Sequence, residues 1–215
     1  MSRERRYFFA YLVLFFFGWW ARMLFPLERQ MASPWAEETA RVGLKVLFWL
    51  VPVCFFIKVI DRRRIVEYLK LSTNWRTGLL WSLGVAAVLG PLWLLGVTAL
   101  HLKRMDASAI SPRSVFEGLI VAALIEELTV RGFIVNKLAE SFSFTTANLL
   151  GALFFVAVHW QAWIFRPAVS PMGLVRMSAS ILVLSVASGY LMKKTNSIWP
   201  SVTLHGVQDM IALLP

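Results

Sequence analysis

Seven long apolar segments govern what this chain of 215 residues can become, at roughly 7–25, 43–60, 78–100, 113–136, 145–165, 173–192 and 198–214. A helix needs about 20 mostly apolar residues to cross a bilayer, within a range of about 17–25. Every segment falls inside that range, the last at its lower limit. Pro200 suits the start of that last helix, where its missing N–H would lack a partner in any case. The composition agrees: 58% of residues are hydrophobic and mean hydropathy is +0.65, against about 45–50% apolar in a soluble domain. The expected fold is therefore all-α, a polytopic transmembrane bundle of about seven helices. The connections are short, the longest polar ones lying at 26–42 and 61–77, and no repeat or low-complexity tract is visible. One integral membrane domain over 1–215 is the simplest organisation.

The first segment does not read as a cleaved signal peptide. Residues 7–17 are bulky and aromatic, Gly18-Trp19-Trp20 follows, and no Ala-x-Ala-like site comes after. A retained first helix is expected.

A net charge of +10 raises the question of nucleic acid, and the positions of the charges answer it. Arg3, Arg5 and Arg6 precede the first segment, Arg62, Arg63 and Arg64 follow the second, and Lys193 and Lys194 follow the sixth. Basic clusters at membrane-helix ends mark the cytoplasmic side and meet anionic lipid. No soluble basic domain is left to bind nucleic acid. With the N-terminus inside, the inner connections also carry Lys70, Arg76 and Lys137, while the outer ones carry Arg29, Arg41, Lys103, Arg104, Arg113, Arg166 and Arg176. The bias favours a cytoplasmic N-terminus and an external C-terminus, with the Lys103-Arg104 pair opposing it. The single Cys54 allows no intramolecular disulfide and no thiolate metal cage, so a buried packing role is expected.

The fourth segment has a helix-start signal, Ser111-Pro112 followed by Ser114-Val115-Phe116-Glu117, which matches a capping box. Its middle is unusual, because Glu126, Glu127 and Arg131 lie inside the apolar run 115–134. One charged side chain at a membrane-helix centre costs about 2.5–3.5 kcal/mol on insertion scales. Such residues ordinarily face the bundle interior and mark a functional site. Glu127 and Arg131 are spaced i,i+4 with the acid first, the better order for a pair on one face. Glu126 points about 100° away. An interhelical charge network that only locks packing is the competing reading.

Two more polar motifs follow in apolar helices. Phe155 and His159 share a face, as do His205 and Asp209 in the short last segment. A lone histidine is commonly a hydrogen-bonded packing residue, but the i,i+4 aspartate lets His205 be oriented, or lets both face one ligand. His101, beside Lys103-Arg104, reads as interfacial. Jointly, a carboxylate pair, two histidines and an aspartate form a hydrolytic constellation. A carboxylate in a low-dielectric site can act as general base, a histidine can position water or protonate a leaving amine, and the His205/Asp209 pair can polarise a carbonyl. Glu126, His159, His205 and Asp209 also suit zinc as a ligand set, although no His-Glu-x-x-His is present.

Glu126-Glu127-x-x-x-Arg131, Phe155-x-x-x-His159 and His205-x-x-x-Asp209 resemble, in order and spacing, the three motifs of the CAAX protease and bacteriocin-processing (CPBP, or Abi) family of polytopic intramembrane endopeptidases. The resemblance covers roughly 112–214, so the division expected is N-terminal helices one to three over 1–100 and a CPBP-like core over 112–214. It implies that Glu126 activates water, that His159 holds that water, and that His205 and Asp209 stabilise the oxyanion or orient water. Glu127 and Arg131 would be a structural pair, with Phe155 supporting. It favours a glutamate-dependent mechanism without a cofactor, with zinc as the alternative. Asp209 departs from the asparagine of the eukaryotic prenyl-protein proteases, which adds a charge and makes a prenylated substrate less certain. The implied substrate is a membrane-associated or lipid-anchored protein or peptide, and a bacterial or archaeal cell membrane is the expected location.

Two other functions compete. A non-catalytic immunity or scaffold protein would keep the motifs for folding alone. A proton-coupled transporter would show inverted repeats or broken helices in both halves, whereas the polar motifs here lie only in the second half.

Overall fold

The computed structural model describes residues 3–99, 116–164 and 169–212, which are mainly helical with no strand among them. Helix α1 is Arg3–Leu24, followed by a 3-10 turn at Leu27–Gln30. Helix α2 runs over 34–60, α3 is the single turn Ile65–Tyr68, and α4 is Trp75–Ala99. Helix α5 runs over 116–139, α6 is Phe144–Ile164, α7 is Pro171–Thr195 and α8 is Trp199–Ala212. Each of the seven apolar segments thus becomes a long helix, and the fold is an all-α polytopic bundle. Among the described residues five helical spans are long and apolar enough to cross a membrane: α1 with the turn that follows it, α2, α4, α6 and α7. Helix α8 has 14 described residues, about 21 Å at 1.5 Å per residue. Large apolar side chains point outward, Leu14 at 72%, Leu80 at 70% and Val183 at 69% exposure. That is the face a membrane helix turns to lipid.

Several boundaries move. Helix α2 begins at Pro34, not near 43, because the Ser33 hydroxyl accepts from the Ala36 N–H (3.2 Å) with proline at the first position. Its polar first turns read as a connection when only apolar residues are counted. The connection at 61–77 holds α3. Lys193 and Lys194 lie in the last turn of α7 rather than beyond it. Cys54 is half-buried, not buried, since α2 lies at the edge of the bundle. His101, Lys103, Arg104, Arg113, Arg166 and the Ser111–Ser114 start signal lie outside the described residues, as does the side chain of Glu117.

Two helices depart from α geometry where the site is built. In α2, π-helical turns at Val46–Leu50 and Phe56–Ile60 flank Val51–Phe55, where Pro52 has no N–H to give. In α5, π-helical stretches at Phe116–Leu124 and Leu128–Val135 flank one α-helical turn, Ile125–Glu127. Such turns are rare and concentrate at functional sites.

Helix α5 is the central element. Its Phe133 is fully buried, with ring centroids of Phe8, Tyr11 and Phe56 at 5.9, 5.3 and 5.2 Å, so α1 and α2 close over it. Helix α6 packs on α5 and α7, and α8 packs against α4, α5 and α7. The turn from α7 into α8 depends on Asn196, whose left-handed backbone (φ 50°) asparagine tolerates. Ser201 Oγ then donates to the Ser188 carbonyl (2.7 Å), and the Ile198 N–H donates to the Lys70 carbonyl (3.2 Å). At that end of the bundle, Lys137 Nζ bonds both Asp61 oxygens (2.7 and 2.8 Å), and Arg63 meets Glu140 (2.7 Å), tying the end of α2 to the end of α5.

Candidate active site

The α-helical turn Ile125–Glu127 carries the two glutamates in different directions. Glu127, at 0% exposure, turns toward α8, while Glu126 turns toward α2 and α6. Adjacent residues on a helix diverge by about 100°, so Glu127 meets Arg131 while Glu126 meets Lys45 and His159, and His205 lies near both carboxylates.

Glu127 Oε1 lies 3.0 Å from Arg131 Nη1 and accepts a hydrogen bond from His205 Nδ1 at 2.8 Å. The Arg131 contact is an ion pair by distance; the guanidinium makes no well-aligned hydrogen bond. Its planar face instead covers the Phe155 ring, with Cζ 4.6 Å from the centroid. The same ring stands edge-on to His159 (4.5 Å) and to His205 (5.9 Å). Phe155 is therefore the apolar partition that separates the guanidinium from the two imidazoles and holds all three.

The histidines are oriented by their second nitrogens. His159 Nδ1 is 2.9 Å from the Phe155 carbonyl oxygen, an acceptor, so Nδ1 carries the proton and Nε2 presents a lone pair. His205 Nδ1 likewise donates to Glu127. Both Nε2 atoms converge on one oxygen: Glu126 Oε2 lies 4.0 Å from His159 and 3.8 Å from His205. These distances exceed a direct hydrogen bond and suit one bridging water or substrate group. Asp209 Oδ2 stands 3.6 Å from His205 Nε2 on the other side. The carboxylate of Asp209 is 26% exposed and the His159 ring 23%, whereas Glu126 is 10% exposed, so the cluster is reached from the Asp209 and His159 side.

The structure brings Glu126, His159, His205 and Asp209 together, with Glu127, Arg131 and Phe155 directly behind them. Two relationships were not expected from sequence. Glu127 does more than pair with Arg131, since it also fixes the His205 ring. Lys45, from α2, places Nζ 2.5 Å from Glu126 Oε1. Its signal was present: a single lysine between Val42-Gly43-Leu44 and Val46-Leu47-Phe48.

Among the described residues no three His, Cys, Asp or Glu side chains gather as a metal-binding group. Both imidazole Nε2 atoms address a single Glu126 oxygen, and the other oxygen faces an ammonium group.

Residues 111–211 match the Rce1-like family, described as type II CAAX prenyl endopeptidase Rce1-like. No curated protein and no solved structure matched the chain. The matched segment contains every motif residue from Glu126 to Asp209, while Lys45 lies outside it. With its five apolar spans, the chain is an integral membrane protein. Helices α5 to α8 lie in the matched segment, and over residues 111–211 the chain is similar to the type II CAAX prenyl endopeptidase Rce1-like family.

Proposed function

We propose that this protein is an intramembrane endopeptidase that hydrolyses a peptide bond in a membrane-associated or lipid-anchored substrate, using a water activated by Glu126. One observation carries the reading. Glu126 Oε2 is buried, has no hydrogen-bond partner, and faces both imidazole Nε2 atoms at 4.0 and 3.8 Å. Glu127 Oε2 and the Arg131 nitrogens are also buried without a hydrogen-bond partner, but the Glu126 oxygen is set apart from them by facing two imidazole nitrogens. It is thereby positioned for a ligand.

In the proposed reaction a water donates one hydrogen to Glu126 Oε2 and the other to the lone pair on His159 Nε2. As the water oxygen bonds to the scissile carbonyl carbon, its proton passes to Glu126 and the carbonyl electron pair moves onto oxygen. His205, protonated at both ring nitrogens between the Glu127 and Asp209 carboxylates, donates its Nε2–H to that oxyanion. The intermediate collapses with cleavage of C–N, and Glu126 returns its proton to the leaving amine. General base catalysis of this kind contributes about 10²–10⁴-fold. No metal enters this sequence.

The basic residues support a cytoplasmic N-terminus. Arg5, Lys137 and Glu140 border one cavity of about 400 Å³, and Arg63 and Lys70 join the same end through Glu140 and Ile198. The positive charges thus gather at the end where α1 begins and α7 stops.

The test is mass spectrometry of peptides released in membranes carrying the wild-type chain or Glu126→Gln, with turnover of a farnesylated, internally quenched CAAX peptide in parallel. The expected result is product from the wild type and none from the variant at equal folded yield. Equal products from both would overturn the reading.

A further inference from the structure

Lys45 belongs to the half of the chain that lies outside the matched family segment, 81 residues before its partner, yet it makes a direct side-chain contact with Glu126, 2.5 Å from Nζ to Oε1. Its side chain is only 16% exposed. A half-buried ammonium group in a membrane bundle needs a reason, and the surroundings are built to hold it in place. Lys45 Nζ lies 5.6 Å from the Trp49 ring centroid, one turn further along α2. Trp49 is 2% exposed, with Phe15 edge-on at 4.9 Å and Trp19 at 5.5 Å. The Trp49 carbonyl accepts from Thr129 Oγ1 at 3.2 Å. Helices α2 and α5 are therefore joined at two levels, Lys45 to Glu126 and Trp49 to Thr129. The π-helical turn Val46–Leu50 begins immediately after Lys45 and contains Trp49.

We propose that Lys45 is a positioning residue for Glu126: it captures Oε1 so that Oε2 alone is presented to the Nε2 atoms of His159 and His205. The terminal carboxylate torsion of a glutamate is broad and roughly two-fold. An untethered carboxylate would rotate and offer either oxygen along a range of directions. A charge-assisted hydrogen bond is short and directional, and here it occupies one oxygen while the other has no hydrogen-bond partner. The N-terminal helices thereby complete a site whose other side chains all lie in 111–211. Displacing a reacting group by about 1 Å costs roughly 10²-fold in rate, which sets the size of the effect. The proposal rests on Glu126 being the base.

The experiment compares purified full-length wild type, Lys45→Met, Lys45→Gln, Lys45→Arg and Glu126→Gln on the farnesylated, internally quenched CAAX peptide, with thermal midpoints measured in the same detergent. Lys45→Met and Lys45→Gln should remain folded, with kcat lowered about 10–100-fold and KM within about twofold, the pattern of a lost transition-state interaction. Lys45→Arg keeps the charge and should recover about tenfold of that loss, short of wild type because the guanidinium fork differs in shape. Wild-type kcat in Lys45→Met, alongside an inactive Glu126→Gln, overturns the positioning role and leaves the base intact. A raised KM at unchanged kcat overturns it in favour of a substrate contact. Loss of fold in both uncharged variants overturns it in favour of a structural one. Undiminished turnover in Glu126→Gln removes the base itself, and this inference with it.

Discussion

Glu127 Oε1 accepts a hydrogen bond from His205 Nδ1 at 2.8 Å, joining α5 to α8 where both side chains are shut away from solvent, at 0% and 2% exposure. The same oxygen lies 3.0 Å from Arg131. One carboxylate thus neutralises a buried guanidinium and orients an imidazole. Replacing it with an amide keeps an acceptor for His205 and removes the charge facing Arg131. Glu127→Gln should lose about 3–5 kcal/mol of stability, the cost of breaking one side of a buried ion pair. Adding Arg131→Met should recover most of that loss, because a fully apolar replacement leaves no unpaired charge. Thermal midpoints of the single and double variants check this; equal midpoints would show that the pair contributes nothing to folding.

Phe155 is the ring shared by Arg131, His159 and His205. Phe155→Leu retains most of the volume but loses the face that receives the guanidinium and the edges that hold the imidazoles. A stability loss of about 2 kcal/mol is expected from the packing and cation–π terms together. Turnover should fall by more than that loss explains, because both histidines lose a wall. Thermal unfolding and kcat measured on one preparation separate the two effects.

Gly151 lies two turns before His159 on α6, where a Cβ would sit 2.5 Å from Val135 Cγ2 on α5. Valine is stiff and cannot give way easily. Gly151→Ala should cost about 1–3 kcal/mol by overpacking and should also lower turnover, since it displaces the helix that carries Phe155 and His159. Gly84 provides the control, because a Cβ there meets nothing within 4 Å. Gly84→Ala should be neutral or stabilising by up to about 1 kcal/mol through helix propensity. Similar losses in both variants would contradict the close approach of α5 and α6.

Chelation separates the two chemistries open to this donor set. A carboxylate behind an imidazole, as Glu127 stands behind His205, is also an arrangement used behind metal-bound histidines. With Lys45 at one Glu126 oxygen and both Nε2 atoms at the other, turnover should survive a strong chelator unchanged. Elemental analysis of the active protein, chelation and zinc add-back form the test. Stoichiometric zinc, loss of activity on chelation and its return on add-back would recast Glu126 as base to a metal-bound water.

By itself the sequence determined the helical class and the polar groups that had to be sheltered. Apolar runs of spanning length leave a helix as the simplest way to satisfy the backbone, and glutamate, arginine, histidine and aspartate inside those runs are costly enough to predict burial in the bundle. The i,i+4 spacings carried information because they are local: Glu127 with Arg131, Phe155 with His159, and His205 with Asp209 all lie on one helix each. The start of α2 was equally local, written in Ser33-Pro34, and was obscured because the turns that follow are polar. What no local pattern held was the pairing between helices. Lys45 lies 81 residues from Glu126, and His205 lies 78 from Glu127. The π-helical turns that help set the facing of α2 and α5 have no residue signature in these segments. Partner choice depends on which faces meet once the helices pack, and a buried charge accepts any opposite charge that the packing brings within reach. Only the tertiary structure decided that Glu127 would serve both Arg131 and His205, and that Glu126 would share its carboxylate between an N-terminal lysine and two C-terminal histidines.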